Sequence, residues 1–250
     1  KRRPISLAAC VDDALPPTAR VLEVGCGTGQ LSNFLGLVKR RQVYGADLCG
    51  HSLALAEQFR VQHDISATCF LQMNLFRPSF PAHSFDAVIC NGVLHHTSEP
   101  ERGFQSIARL VRPGGFIAIG LYNRLGRLST DLRRGLFRFG GEGLRWLDPR
   151  LREGGVGQGR KAAWFADQYE HPHESKHGYT EALEWLDRAG LECRRLIPPP
   201  LFGSSLKAGG DLLAEQPRGT ALTRLGAEWK MALEGGAEGG FFIVVARRPE

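Results

Sequence analysis

Val21-Leu-Glu23-Val-Gly25-Cys26-Gly27-Thr-Gly29-Gln30 begins as an apolar strand pattern and runs without a break into three closely spaced glycines that lead a helical pattern. A strand that turns through glycines into a helix lets backbone approach a ligand closely, and it aims the N–H groups of the helix start at polar or anionic atoms. Eighteen residues past Gly29, where the next strand pattern ends, stands Asp47. A carboxylate at that position can accept both hydroxyls of a ribose. Turn and acid together point to an adenosine-containing cofactor, with a tight structural turn as the alternative for the glycines alone. Nicotinamide sites space their glycines as G-x-G-x-x-G; here they fall as G-x-G-x-G behind the acid Glu23, which disfavours hydride transfer.

Outward from this stretch, short strand-like runs alternate with helical periods. Strands are predicted at 20–24, 42–46, 68–72, 85–90 and 116–121, with helices at 30–38, 52–61 and 101–110, the last ended by Arg112-Pro113-Gly114-Gly115. That rhythm is the signature of successive βα units with right-handed crossovers and a parallel sheet. After Leu121 it breaks for nearly sixty residues before a helix resumes at 180–189 with Thr180 as N-cap. Strand-like runs at 191–197 and 241–246 close the chain, separated by Pro- and Gly-rich sequence. The expected organisation is an α/β core over 1–121, an insertion over 122–179, and a C-terminal part over 180–250 that carries a second insertion at about 199–239.

The loop at Gly25–Gly29, Asp47, the run Phe85-Asp86-Ala-Val-Ile-Cys90-Asn91-Gly-Val-Leu-His95-His96 and Leu110-Val-Arg-Pro113-Gly114-Gly115 follow one another as in the class I S-adenosylmethionine-dependent methyltransferases, which the sequence resembles over roughly residues 18–121. The resemblance implies a doubly wound α/β fold with a seven-stranded, mostly parallel sheet of order 3-2-1-4-5-7-6 and an antiparallel strand 7. It further implies S-adenosylmethionine as cofactor and S-adenosylhomocysteine as product. Carried over by position, it puts the methionine end of the cofactor against Glu23, the loop Gly25, Cys26, Gly27 and Gly29, and Asn91. Asp47 would take the ribose and Leu48 would flank the adenine. Asn74-Leu75 falls where many members have an acid for the adenine amino group; the amide oxygen of Asn74 can accept the same bond, or the residue simply forms a turn.

Methyl transfer from a sulfonium is an in-line displacement with an already activated donor, so the protein mainly positions the reactants and excludes water. A base is needed only where the acceptor must lose a proton. His96 and His95, just past the fourth strand, are the candidates; the alternative is that one of them caps the turn and packs on the cofactor loop. The Asn91-Gly-Val-Leu sequence replaces the Asn/Asp-Pro-Pro-aromatic tetrad of enzymes that methylate exocyclic base amines, and no cysteine has the setting of a cytosine-C5 nucleophile. The Val-Leu-His-His form is similar to the small-molecule branch, including quinone-biosynthesis C- and O-methyltransferases. The other class of reading is a non-catalytic or regulatory methyltransferase-like domain of a larger protein, since fold does not fix function.

The insertion over 122–179 has two parts. Residues 122–139 set Leu125, Leu128, Leu132, Leu136 and Phe139 at helical spacing among Arg124, Arg127, Arg133, Arg134 and Arg138, opposed by Asp131 alone. Such a basic amphipathic helix could lie on an anionic membrane surface, close over the active site, meet an acidic substrate or partner, or pack its leucines on the sheet with its arginines solvated. The second part, 164–177, gathers Trp164, Tyr169, His171, His173 and His177 and is read as a lid over the acceptor, with a purely structural loop as the alternative. Acceptor contacts are expected from Tyr122, Asn123, Arg124, Tyr169, His171 and His173. The histidines follow no metal-ligand spacing, even with Glu170 or Glu174 added, and no metal is expected.

Composition bounds these expectations. The 250 residues are 42% apolar and 23% charged, within the ordinary globular range. The net charge of +6 divides as +3 over 1–121, +4 over 122–180 and −1 over 181–250, so the excess does not form a general polyanion surface and nucleic acid is an unlikely partner beside a small-molecule acceptor. Six scattered cysteines without C-x-x-C read as reduced, buried thiols, which with no signal peptide or bilayer-spanning run suggests a cytoplasmic protein. The chain opens on Lys1 rather than Met, which suggests part of something longer.

Overall fold

The computed structural model describes residues 7–38, 41–140, 146–152, 157–170, 173–200, 212–233 and 240–250. Seven strands form one sheet: β1 Arg20–Val24, β2 Gln42–Asp47, β3 Thr68–Gln72, β4 Phe85–Asn91, β5 Val111–Tyr122, β6 Glu192–Ile197 and β7 Phe241–Arg247. Their order is β3-β2-β1-β4-β5-β7-β6. The pairs from β3 to β5 are parallel, whereas β7 runs antiparallel to both β5 and β6. This is the expected doubly wound α/β arrangement, including the reversed last strand.

Both faces of the sheet are buried, as a parallel sheet requires. Leu22, Val24, Val88 and Cys90 face one core and Val21, Ala87 and Ile89 the other, the period-two alternation of a strand covered on both sides. The first core is closed by Phe104 and Ile107 of α4 (Pro100–Ala108) and by Leu183, Trp185 and Leu186 of α8 (Tyr179–Arg188). The second is closed by Val11 of α1 (Leu7–Ala14) and Leu35 of α2 (Gln30–Val38). Each fully buried aliphatic side chain of this kind contributes roughly 1.5–3 kcal/mol. α4 opens with Pro100, which suits a first helical turn because its missing N–H has no partner there anyway.

Three of the boundaries that differ from the sequence reading bear on the site and its surroundings. β5 starts at Val111, because Arg112-Pro113-Gly114-Gly115 is a bulge within the strand: Phe85 pairs with Val111, and Ala87 next pairs with Phe116. Gly114 takes φ +74° there. The helix before β6 starts at Tyr179 with Gly178 as its cap, not Thr180; the Tyr179 N–H donates to Glu228 Oε1 at 2.6 Å, so a carboxylate from elsewhere satisfies the helix start. The insertion helix α5 spans Leu128–Gly140 only. Tyr122 belongs to β5, and Asn123 folds the chain over by accepting from the N–H groups of Leu125 and Gly126 at 3.0 and 2.9 Å. Two short helices, α6 (Pro149–Arg152) and α7 (Gln158–Phe165), and a π-helical turn at Ala166–Glu170 follow; α3 (Gly50–Gln62) lies between β2 and β3, and α9 (Ala221–Leu233) between β6 and β7.

Candidate functional site

The site lies at the carboxyl ends of β1, β2 and β4, which the parallel register brings level: Val24 pairs with Ala46, and Glu23 with Ile89. In the loop after β1 the N–H groups of Gly25 and Cys26 donate to Ala46 O at 2.7 and 3.1 Å. Gly27 donates to Asp47 Oδ2, and Cys49 to Oδ1, both at 2.8 Å. Asp47 therefore pins the loop with one lone pair of each oxygen and retains acceptor capacity for a ribose.

The three loop glycines do different things. All have positive φ, +72°, +53° and +72°. A Cβ on Gly25 would stand 2.2 Å from Val93 Cγ2, and one on Gly29 would stand 2.6 Å from Phe70 and 2.7 Å from Ala56. Those two admit close packing. Beside Gly27 there is nothing within 4 Å, an open cradle at the bend of the loop.

Below the loop, Glu23 is buried and accepts from Ser32, from its hydroxyl at 2.5 Å and its N–H at 2.9 Å. Burial raises its pKa to about 7, the Ser32 hydrogen bonds opposing and the charge of Asp47 reinforcing the shift. Leu48 is 66% exposed, an apolar side chain left facing solvent at the rim where an adenine would lie. Asn74 forms a turn: its Oδ1 accepts from Phe76 N–H at 2.9 Å. Leu75 packs on the core beside Gly103. Asn91 ends β4 exposed, and a Cβ on its partner Gly120 would lie 2.2 Å from Asn91 Oδ1, so that glycine makes the room the amide occupies.

Past Asn91 the chain makes a 3-10 turn, Leu94–His96. His95 is fully buried, its ring 4.2 Å from Tyr122 and 4.3 Å from His96, centroid to centroid. His96 is half-buried, and its Nδ1 lies 3.0 Å from the carbonyl of His173. A carbonyl only accepts, so Nδ1 carries the proton and Nε2 of the neutral ring is the basic nitrogen.

The segment after the π-helical turn is fastened to this turn. Ser175 N–H donates to His95 O at 2.8 Å, His173 Nε2 to Thr97 O at 3.0 Å, and His177 N–H to Tyr122 O at 2.9 Å. Ser175 Oγ meets His177 Nε2 at 2.8 Å, and His177 Nδ1 meets Glu181 Oε1 at 2.9 Å. His177 and Glu181 also line an open cleft of about 550 Å³ with Glu101, Gln105 and Trp185, so solvent reaches the outer end of this chain of bonds.

Tyr122 is buried and its hydroxyl accepts from Gln168 Nε2 at 2.6 Å. Asn123 is buried, its Oδ1 accepting from the turn and its Nδ2 donating to His177 O at 3.4 Å. Arg124 is largely exposed, 3.6 Å from Glu181. Tyr169 donates to Asp148 at 2.6 Å and packs on Phe137 and Phe165; burial first, then Asp148, pushes its hydroxyl far above the ordinary range, so it is no base. His173 reaches the turn, whereas His171 lies outside the described residues. Among the described residues no group of three or more His, Cys, Asp or Glu is placed to hold a metal.

The sequence reading missed Arg127. Its guanidinium stands 3.9 Å over the Tyr122 ring and bonds Glu174 through Nε at 3.0 Å and Nη2 at 2.5 Å, with Gln168 as a further partner. Both ends of the pair are buried. Burial pushes the Glu174 carboxyl up, but Arg127 and then Arg134 hold it below the usual carboxylate range. Arg133 and Arg134 likewise turn toward Asp148 and Glu174. The described arginines of α5 thus face inward while Leu128, Leu132 and Leu136 point outward, the reverse of leucines packed on the sheet beneath solvated arginines. All six cysteines are free; Cys49 and Cys69 are exposed and the other four buried, so the expectation of buried thiols holds for four.

Residues 22–119 match a family described as a methyltransferase domain. Together with the sheet order and the glycine loop, this shows that the chain carries a class I S-adenosylmethionine-dependent methyltransferase domain. It is similar to an uncharacterized protein of Synechococcus, at 30% identity over an alignment of 215 residues, with 74% of this chain and 52% of that protein covered. It is also similar to the ubiquinone biosynthesis O-methyltransferase of Paracidovorax citrulli, at 34% identity over 116 residues, 45% of this chain and 48% of that one. The chain spans about half the length of these curated relatives. In fold it is similar to PKMT2 from Rickettsia typhi in complex with AdoHcy, with TM-score 0.67, 14% identity, and 99% of this chain covered against 55% of that one.

Proposed function

We propose that the chain is a methyltransferase that uses S-adenosylmethionine to methylate an oxygen or carbon of a small, lipophilic or anionic acceptor. One observation carries this reading: the open glycine loop and His96 sit at the ends of the hydrogen-bonded neighbours β1 and β4. A donor bound in the loop and a base for the acceptor then share one edge of the sheet. Similarity to the ubiquinone O-methyltransferases supports a small-molecule acceptor.

The residues present fit the cofactor. Gly27 leaves the cradle open, Asp47 keeps lone pairs for ribose hydroxyls, Leu48 offers an apolar flank, and Glu23 supplies a carboxylate beneath the cationic end. When bound, S-adenosylmethionine supplies a methyl group activated by its sulfonium charge. The chain's own part is to hold the acceptor in line and to take its proton: Nε2 of His96 accepts from an acidic O–H or C–H, while the His173 carbonyl keeps Nδ1 protonated and the ring aimed. The lid segment at 173–177 excludes water from that step.

Calorimetry with S-adenosylmethionine tests the reading. The wild type binds and Asp47→Ala binds at least about tenfold more weakly, the loss of one charge-assisted hydrogen-bond partner. No binding by the wild type overturns it. Release of S-adenosylhomocysteine with a panel of phenols, catechols and carboxylates then identifies the acceptor.

A further inference from the structure

Gly120 leaves a gap in β5 that side chains from both neighbouring strands enter. A Cβ there would lie 2.2 Å from Asn91 Oδ1 and 2.3 Å from Phe241 Cζ, so the amide that ends β4 and the ring that starts β7 reach the same point from opposite sides. Phe241 stands opposite Tyr122 in the antiparallel pair, and Gly120 stands opposite Ile243. The tip of the Phe241 ring therefore runs diagonally across β5 toward β4, a reach open to an aromatic side chain. The same ring packs steeply inclined to Tyr122 at 5.6 Å and to His95 at 6.2 Å, centroid to centroid. Phe241 thus spans the interval between Asn91, where the methionine end of the cofactor is expected, and the turn that carries His96. Val93, between the two, is the residue a Cβ on Gly25 would strike, so the glycine loop abuts that turn as well.

Exposure singles this ring out from its neighbours. Tyr122, expected from the sequence to touch the acceptor, is buried with Arg127 3.9 Å over its ring, and His95 is buried beside it. Phe241 and His96 stay partly exposed, and Asn91 is exposed. An acceptor lying between a donor at Asn91 and a base at His96 then has an apolar ring alongside. A saturated acceptor gains only apolar burial from such a neighbour. A flat unsaturated one gains in addition the edge or face attraction between π-systems. Its conjugation also makes an attached O–H acidic enough for an imidazole to take the proton.

We infer that Phe241 determines acceptor specificity, selecting a molecule whose reacting oxygen or carbon belongs to a flat aromatic ring; this rests on the methyltransferase reading above. The residue lies more than a hundred positions beyond the cofactor motifs and outside the 122–179 insertion from which acceptor contacts were expected.

Phenol and its saturated counterpart cyclohexanol, each titrated into the full chain saturated with S-adenosylhomocysteine, test the selection. The wild type binds phenol about threefold to tenfold more tightly than cyclohexanol, the size of an aromatic pair beyond its area burial. Phe241→Leu keeps an apolar side chain without a ring and brings the two affinities within about twofold of each other. Its S-adenosylhomocysteine affinity stays at the wild-type level, which shows an intact fold, and Phe241→Tyr retains the preference for phenol. Equal binding of the two probes by the wild type, binding of neither, or a preference that survives in Phe241→Leu overturns the inference while leaving the methyltransferase reading in place. A wild type that does not bind S-adenosylhomocysteine overturns both.

Discussion

Arg127 and Glu174, forty-seven residues apart in sequence, form a buried ion pair that ties the start of α5 to the segment lying over the His95–Thr97 turn. Removing one partner leaves the other charge buried without compensation. Arg127→Met is therefore expected to cost about 3–5 kcal/mol, whereas Arg127→Met with Glu174→Leu costs much less. Urea unfolding of the two variants and the single Glu174→Leu closes the cycle; a double-variant loss equal to the sum of the two single losses would mean that the pair is not coupled.

Gly27→Ala and Gly29→Ala separate binding from folding. Gly29 is packed against Phe70 and Ala56, so an added methyl adds overpacking of about 1–3 kcal/mol to the backbone strain of its positive φ. Gly27 faces open space, so its variant carries strain alone while its methyl enters the cofactor cradle. Calorimetric unfolding should rank Gly29→Ala as the less stable, and titration with S-adenosylmethionine should show Gly27→Ala losing affinity out of proportion to its stability.

Glu23 makes stability and cofactor affinity move oppositely with pH. Its pKa, raised by burial from an ordinary 4.5 to about 7, means that the folded apo protein holds a proton which the unfolded chain has released across that interval. The associated stability is full below about pH 4.5 and is lost as pH rises through about 7. Cationic cofactor favours the carboxylate, so binding should tighten over the same rise. Calorimetry at pH 6, 7 and 8 reads the second effect and thermal melts read the first. In Glu23→Gln both slopes should flatten, and unchanged slopes in that variant would assign them to other groups.

His96→Gln should lower turnover by about 10²- to 10⁴-fold, the usual contribution of a general base, with little change in cofactor affinity. His95→Gln should act on folding, because its ring packs on Tyr122 and is fully buried. Rates of S-adenosylhomocysteine release and melting temperatures distinguish the two. A His96→Gln enzyme with an unaltered pH–rate profile would remove the base from the reaction.

The sheet was legible because each strand and crossover helix announces itself locally, through period two, period 3.6 and glycine punctuation within a dozen residues. The cofactor loop was legible for the same reason, since Gly25 to Gly29 and Asp47 belong to one βα unit and the start of the next. The orientation of α5 was not. Periodicity shows that a helix has two faces, but which one meets protein depends on partners such as Glu174 and Asp148 that lie far along the chain. Asn74 and Asn123 were read as ligand contacts because their side chains can accept from a ligand. The Asn123 turn uses that oxygen twice, for the N–H groups of Leu125 and Gly126, and only three-dimensional closure shows it, whereas the Asn74 turn takes one lone pair and leaves the other for a ligand. Pro113-Gly114-Gly115 read as a break for a related reason: a bulge and a chain end have the same composition, and the pairing on either side tells them apart.

Three of the bonds that hold the segment over the histidine turn join main-chain groups only, Ser175 N–H to His95 O, His177 N–H to Tyr122 O and Arg124 N–H to His177 O. Peptide groups are the same whatever residue carries them. Those three anchors survive substitution along 173–177, whereas the bonds that His173, Glu174 and His177 make through their side chains do not, so the segment divides into a frame indifferent to sequence and a set of ties that each depend on one residue.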